Sequence, residues 1–542
     1  IISDGWSVAV FLKELVALYE GYSSNENGVD VEGLLPRLDV QYADYAYWQN
    51  KYLNGEILDS QVDYWRENLK GVPELLRLPT DRPRPKVQTY NGALSRFTIP
   101  ADIKDKIDSF AKERQVTPFM VLLSAYQLLL SKYSNQSDVC VGIPVAGRNH
   151  KEIENLIGFF INALVIRANL EGNNNVEQLL ADTKEATLGA FANQDIPAET
   201  LLDALKIKRN LGYSPLAQVG FALQNIAFDE GTEETGYKLK GLEIEQLEAE
   251  HITAKYDLTL ILSERRLSEK VLSEGQQNES SSKELLGVAE YNTDLFDEST
   301  IEKMMAHYVR LLEQMIVEPE LGIDKLSLLT EDELYKELNI EKDQYEKVLP
   351  LTAMQRDLYL ATVMDPSTIQ NSLGYAVEIH SKLDKELWKQ ELQRFVDSQS
   401  ILRTEIIDAN LPYTDVAYQC VLKHKEVEIE EIDLTTHAPT EDELEELIEN
   451  HIYRRYDPND KYYVHNALIK LAEDHYITIL ATHHMLLDGV GFAQQLLTVT
   501  KNYELVLNKQ NPELSEDIFA DFIEYDLRET DKAEVVERWK ER

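Results

Sequence analysis

Cysteine is nearly missing: two occur in 542 residues, Cys140 inside Val139-Cys-Val-Gly-Ile143 and Cys420 after Tyr418-Gln419. That is too few for a disulfide framework or a thiolate zinc site, so both are expected to be buried, unpaired thiols. Positive charge is scarce as well. The 54 Lys and Arg face 96 Asp and Glu, a formal charge of −42, and such a chain repels a phosphate backbone, which excludes nucleic acid as a partner. No apolar run reaches the roughly 18 residues of a membrane span. The opening Ile1-Ile2-Ser3-Asp4-Gly5-Trp6 lacks the basic start of a secretory signal, so the expected location is cytoplasmic, with no membrane partner. Also missing are a Gly-x-Ser-x-Gly elbow, a His-Glu-x-x-His pair and a phosphate-cradling Gly-x-x-x-x-Gly-Lys; Gly489-Val-Gly491 lacks the third glycine of a dinucleotide turn.

The composition, 43% hydrophobic and 28% charged, is that of folded globular protein, and the length calls for more than one core. Helical spacing of apolar residues predicts helices near 6–22, 59–69, 101–114, 117–134, 175–190 and 299–316. Short β-branched runs predict strands at 94–98, 138–144, 159–167, 217–225, 257–263 and 286–291. Without regular strand–helix alternation, this pattern reads as layered α/β or α+β, not a doubly wound sheet. The polar stretch 263–284 reads as a solvated excursion between two strands. An acidic stretch from Leu321 to Pro350, with Thr330-Glu-Asp-Glu333 resembling a helix cap, marks the main boundary. The expected organisation is 1–330, a linker at 331–349, and 350–542.

A long-range repeat is the most informative feature. Asp4-Gly5, a helix, Tyr42-Ala-Asp44-Tyr45 and Tyr64-Trp65 recur as Asp488-Gly489, a helix, Phe519-Ala-Asp521-Phe522 and Arg538-Trp539, an offset of 488 − 4 = 484 residues. In the second copy the apolar strand Tyr476–Thr482 ends on His483-His484, followed by Asp488-Gly489. Imidazoles at a strand end beside a turn suit a cleft. A plainer reading also stands, in which the histidines cap a strand, Asp488 satisfies turn donors and Gly489 supplies permissive dihedrals. A metal site on these histidines is disfavoured, because adjacent strand residues point to opposite faces and no further ligands accompany them. What the residues favour is one imidazole acting on a proton or positioning a nucleophile.

His483-His-Met-Leu-Leu-Asp-Gly489 resembles the His-His-x-x-x-Asp-Gly motif of nonribosomal peptide synthetase condensation domains. Leu351-Thr-Ala-Met-Gln355-Arg356 is similar to the family's opening Ser/Thr-x-x-Gln motif, and Ile401-Leu402-Arg403-Thr404 to its Leu-Arg-Thr motif. In the first unit Tyr42–Gln49, Ile157–Asn162, Asn193–Pro197, and Arg209 with Ser214-Pro215-Leu216 resemble the later motifs. The resemblance implies a chloramphenicol-acetyltransferase-like fold in two partial domains. It implies amide formation between a donor acyl- or peptidyl-carrier thioester and the amine of an acceptor aminoacyl-carrier thioester. The partners so implied are donor and acceptor carrier proteins and adenylation domains of the same assembly line. No cofactor or metal is bound directly, and the phosphopantetheine arms belong to the carriers.

By the same carry-over His484 assists the attacking amine, beside His483. Asp488 holds the loop by pairing with Arg403 or Arg356, and the backbone at Gly489 faces the developing oxyanion. Gln355, Asp4, Gly5, Asn162 and Asp195 are motif positions with structural roles. Departures are also legible. The family's two histidines would stand immediately before Ile1, the motifs at 158–162 and 193–197 have no counterpart before Arg542, and Gly491 stands where many members carry Ser. Neither unit is therefore expected to be competent alone. Competing expectations are an epimerisation domain in the first unit, a non-catalytic platform that docks carriers, and a stand-alone acyltransferase that uses coenzyme A thioesters.

Overall fold

The structure is a computed structural model describing residues 2–24, 31–171, 175–224, 252–266, 283–409, 417–457, 460–512 and residues 517, 519 and 523. It divides into two compact units, Ile1–Leu328 and Leu329–Arg542.

The first unit is built on a seven-stranded sheet of β1 Asn91–Ile99, β2 Asp138–Val145, β3 Asn162–Asn169, β4 Val219–Gln224, β5 Ile252–Thr253, β6 Leu258–Arg266 and β7 Lys283–Asn292. Its order is β3-β2-β4-β6-β7-β1-β5; the steps β2–β4 and β4–β6 are parallel and the rest antiparallel. The helix Pro118–Ser134 is apolar almost all round and is buried from Met120 to Leu130, which is what a helix central to a core requires. Its boundaries are local chemistry: Thr117 accepts from the Met120 amide, Pro118 occupies the first turn, and Asn135 closes the helix in the left-handed region. The helices Val176–Ala192 and Glu298–Val317 pack against it. Antiparallel β6 and β7 are joined through the polar excursion, most of which (267–282) lies outside the described residues.

The second unit has two smaller sheets. β8 Tyr345–Pro350, β10 Thr404–Asp408 and β11 Ala417–Leu422 form one antiparallel sheet in the order β10-β11-β8. β9 Ser372–Ile379, β12 Ile429–Asp433, β13 Val464–Ala472 and β14 His475–His483 form the other, ordered β12-β13-β14-β9. Both faces of β14 are covered. Ile477 and Ile479 meet Leu444, Leu447 and Ile448 of the helix Glu441–Ile452. Leu480 belongs to a cluster with Trp388, Leu392 and Phe395 of Lys385–Ser398 and with Phe492 and Val499 of Gly489–Leu507. Two-sided burial explains why this strand reads as a nearly continuous apolar run.

Residues 331–349, read from sequence as a linker, carry regular structure of the second unit. Thr330 and Glu333 form a reciprocal capping box on the helix Glu331–Glu337. β8 pairs with β11, and Tyr335, Leu338 and Tyr345 pack with Ile407 and Cys420. A six-residue strand with one buried, one exposed and four partly buried side chains leaves little periodicity to read. Both cysteines are free and buried, and burial pushes each thiol up to about 12.

Candidate functional site

In the second unit β14 delivers His483 and His484 to its end, where a four-residue turn leads to Asp488 and the helix Gly489–Leu507. Alternation along the strand separates the two imidazoles: His483 is 1% exposed, whereas His484 is exposed. The His483 Nδ1 accepts from the Met485 amide at 3.1 Å. A backbone N–H can only donate, so the ring proton sits on Nε2, which meets Thr362 Oγ1 at 2.8 Å. Thr362 Oγ1 accepts from Asn371 Nδ2 and donates to the Leu358 carbonyl. Tyr456 and Tyr463 pack against the ring at 5.4 and 5.7 Å. Burial, with a smaller contribution from the neighbouring His484, lowers the His483 pKa to about 4. His483 is thus a neutral, fully occupied support, and His484 is the imidazole free to meet a reactant.

A pH dependence follows. The folded His483 titrates near 4 against an ordinary 6.5, so the unfolded chain takes up the proton first, and stability is lost as pH falls from about 6.5 to about 4. At about 1.4 kcal/mol per pK unit the loss is on the order of 3 kcal/mol. Unfolding in urea across this range should show it, and His483→Gln should flatten the slope. His465, also lowered to about 4 chiefly by burial, remains in both proteins.

Asp488 accepts from the Gly491 amide at 2.8 Å and so caps its helix. The expected arginine partners are not brought to it. Arg403 is buried against Glu346, 3.2 Å away, and also donates to the Leu422 carbonyl, so its fork serves the three-stranded sheet; Arg356 lies exposed on the helix Ala353–Met364. Gln355 is buried and hydrogen-bonded within the unit. It closes a capping box with Thr352 and its Nε2 reaches the Met485 carbonyl at 3.3 Å and Gln419 at 3.1 Å, tying the helix start to the histidine loop. Gly489 is not in a left-handed conformation, so the permissive-dihedral reading fails; a Cβ there would meet nothing within 4 Å.

The first unit shows the same Asp-Gly turn with its partners in place. Asp4 Oδ1 accepts from the Ser7 amide at 2.8 Å, the bond that Asp488 makes to Gly491. Asp4 also accepts from the Phe160 amide at 3.0 Å and from Arg148 Nη2 at 3.3 Å, and the pair is almost completely buried, 1% and 3% exposed for the Arg148 and Asp4 side chains. Burial pushes the Asp4 carboxyl up, but the bonds from Phe160 and Ser7 and the Arg148 charge outweigh it and hold the pKa below the ordinary 3.8. Arg148 further donates to the carbonyls of Ile153 and Leu156 at 2.6 and 2.8 Å and stacks over Phe160. Ser7 Oγ bridges Asp4, Arg148 and Gly158. Gly491 holds the Ser7 position of the repeat and has no hydroxyl for this role.

Other motif residues of the first unit converge on the loop at 193–196. Asn162 Nδ2 donates to the Gln194 and Ile196 carbonyls, each at 2.8 Å. Gln61 grips the same loop through Asp195 Oδ2 at 3.1 Å and the Ile196 amide at 3.0 Å, and Trp65 donates to the Asn193 carbonyl at 2.9 Å. Tyr42 and Tyr45 pack on Phe160. Gly5 opens the helix Gly5–Ser24 with open space around its Cα, as at Gly489. Gly147 is different: it sits at φ +66, and a Cβ would lie 2.0 Å from the Phe160 carbonyl. Gly147→Ala is therefore expected to cost more than about 2 kcal/mol in a urea melt, by straining the turn that presents Arg148. Arg148, Thr362, Asn371 and Gln419 carried no signal in the sequence. Of the repeat's later half, Asp521, Phe522, Arg538 and Trp539 lie outside the described residues. Among the described residues no helix is long and apolar enough to cross a membrane.

The profile of the Condensation domain family matches residues 1–338 and 345–541. A linear gramicidin synthase of Brevibacillus parabrevis is 43% identical over 333 residues, 61% of this chain and 6% of that protein. Malpinin synthetase of Mortierella alpina is 39% identical over 343 residues, 63% of this chain and 4% of that protein. The chain thus spans less than a tenth of the length of these relatives. A solved complex of the X-domain and OxyB from teicoplanin biosynthesis matches with a TM-score of 0.52 at 24% identity, over 61% of this chain and 69% of that one, a likeness of fold.

Proposed function

The chain belongs to the condensation-domain family of nonribosomal peptide synthetases, with the family's layered, chloramphenicol-acetyltransferase-like α/β fold, and on that premise we propose that its second unit carries the machinery for joining a donor acyl- or peptidyl-carrier thioester to the amine of an acceptor aminoacyl-carrier thioester. The amine nitrogen attacks the thioester carbonyl, the C–S bond breaks, and the nitrogen loses its proton as the thiol leaves. The observation that supports this reading is the division of labour at the end of β14. His483 is locked and neutral, while His484 is presented to solvent beside a helix N-terminus. An imidazole so placed can orient the amine or take its proton. The open space at Gly489 lets a reactant approach the backbone N–H groups of the first turn, which suit a developing oxyanion. Asp488 shapes that turn by accepting from the Gly491 amide.

Both thioesters would arrive on phosphopantetheine arms of carrier proteins charged by adenylation domains of the same assembly line, so this chain itself needs no bound cofactor. The first unit carries the Asn162 and Asp195 motifs together with the buried Asp4–Arg148 pair, side chains that would brace such a site in a domain of its own. The test is to offer donor and acceptor loaded on carrier proteins to the chain in its native sequence context and follow the amide by mass spectrometry. Product supports the reading. Its absence, with carrier binding intact, replaces it with a docking platform, for which the missing hydroxyl at Gly491 would be the structural reason.

A further inference from the structure

At the far end of β14 from the histidine pair, three side chains with metal-ligating atoms converge. His475 opens the strand, 483 − 475 = 8 residues from His483, or about 26 Å along an extended chain. The pairing of β14 with β9 runs to Tyr476↔Ile379, so one step further His475 stands across from His380, and Glu378 lies on the same face two residues before it. The two imidazole rings are 4.6 Å apart. Glu378 Oε2 is 3.0 Å from His380 Nε2 and 3.6 Å from His475 Nε2, and the three ligating atoms all lie within 4.8 Å of one another. A tetrahedral ion with bonds of roughly 2.0–2.1 Å holds its ligand atoms about 3.3 Å apart, so small side-chain rotations close this set around one ion. A second observation points the same way: His475 Nε2 is buried and makes no hydrogen bond, an arrangement that costs free energy unless something takes its lone pair or proton.

We propose that Glu378, His380 and His475 form a binding site for a zinc-class divalent cation, which clips the edge strand β9 to β14. Two imidazoles and one carboxylate are a borderline nitrogen and oxygen set that suits Zn²⁺ and disfavours Mg²⁺ and Ca²⁺, which seek oxygen ligands. Three protein ligands leave a fourth position for water. His380 and Glu378 are solvent-accessible, with side chains 69% and 54% exposed, so the ion enters directly from solution. The site is remote from the reacting imidazole and its role is to stiffen the sheet.

The experiment is a calorimetric titration of the chain with zinc chloride, beside thermal unfolding with zinc, magnesium or calcium. The expected result is one saturable zinc site that raises the unfolding midpoint, with no shift from the other two ions. His380→Ala, an exposed position whose loss leaves the fold intact, should weaken the site by at least about 100-fold, and His475→Ala should do the same. No saturable zinc binding, or equal binding by the wild type and His380→Ala, would overturn the proposal and leave the cluster as a carboxylate-bridged histidine pair.

Discussion

Amide formation by the second unit should fall about 10²- to 10⁴-fold on His484→Ala, with the stability of the unit unchanged to within about 0.5 kcal/mol. The His484 side chain is exposed, and the hydrogen bond it makes to the fold runs from its backbone N–H to the Asn371 carbonyl at 2.8 Å, which alanine keeps. Nothing structural is lost while the exposed imidazole at the end of β14 is removed. His483→Ala is the informative contrast. It gives up the bonds to Thr362 and Met485 and the packing of Tyr456 and Tyr463, so it should destabilise by about 2–3 kcal/mol. Single-turnover assays with preloaded carriers, beside urea unfolding of both variants, separate the two. A His484→Ala protein that forms product at the wild-type rate would remove the imidazole from the chemistry.

Asp4→Ala should destabilise the first unit by about 3–5 kcal/mol, because it leaves the Arg148 guanidinium charged and uncompensated in a buried site. The size of the effect comes from the setting. Arg148 and Asp4 side chains are 1% and 3% exposed, and Asp4 also satisfies the Phe160 and Ser7 amides, so one truncation leaves a buried charge uncompensated and two amides without their acceptor. A double-mutant cycle of Asp4→Ala with Arg148→Met should show strong coupling, the pair costing less than the sum of the singles. The acid limb carries a second signature. The Asp4 carboxyl is held below its ordinary 3.8, so its contribution is present above that value and is lost as pH falls through the lower folded value. Asp4→Asn should remove that slope while keeping the side-chain volume.

Much of the architecture was readable in advance because it rests on local pattern. Helices at 101–114 and 117–134 and strands at 138–144 and 286–291 were legible from apolar spacing, and the structure places them at Ala101–Glu113, Pro118–Ser134, Asp138–Val145 and Lys283–Asn292. The Thr330 capping box was legible from four residues, since a cap is satisfied within one turn. The linker reading of 331–349 missed β8, whose stability comes from pairing with β11, far along the chain at Ala417–Leu422, and not from its own residues.

At the site, the sequence alone determined which residues stand at the strand end and that the Asp-Gly turn occurs twice, because both are matters of order along the chain. Only tertiary structure decided which histidine is buried, since alternation says the two differ but not which face the core takes. It alone assigned Arg148 to Asp4 across 144 residues and gave Arg403 to Glu346 instead of Asp488. A buried charge takes whichever opposite charge the packed backbone brings within reach, and no spacing in the sequence encodes that distance.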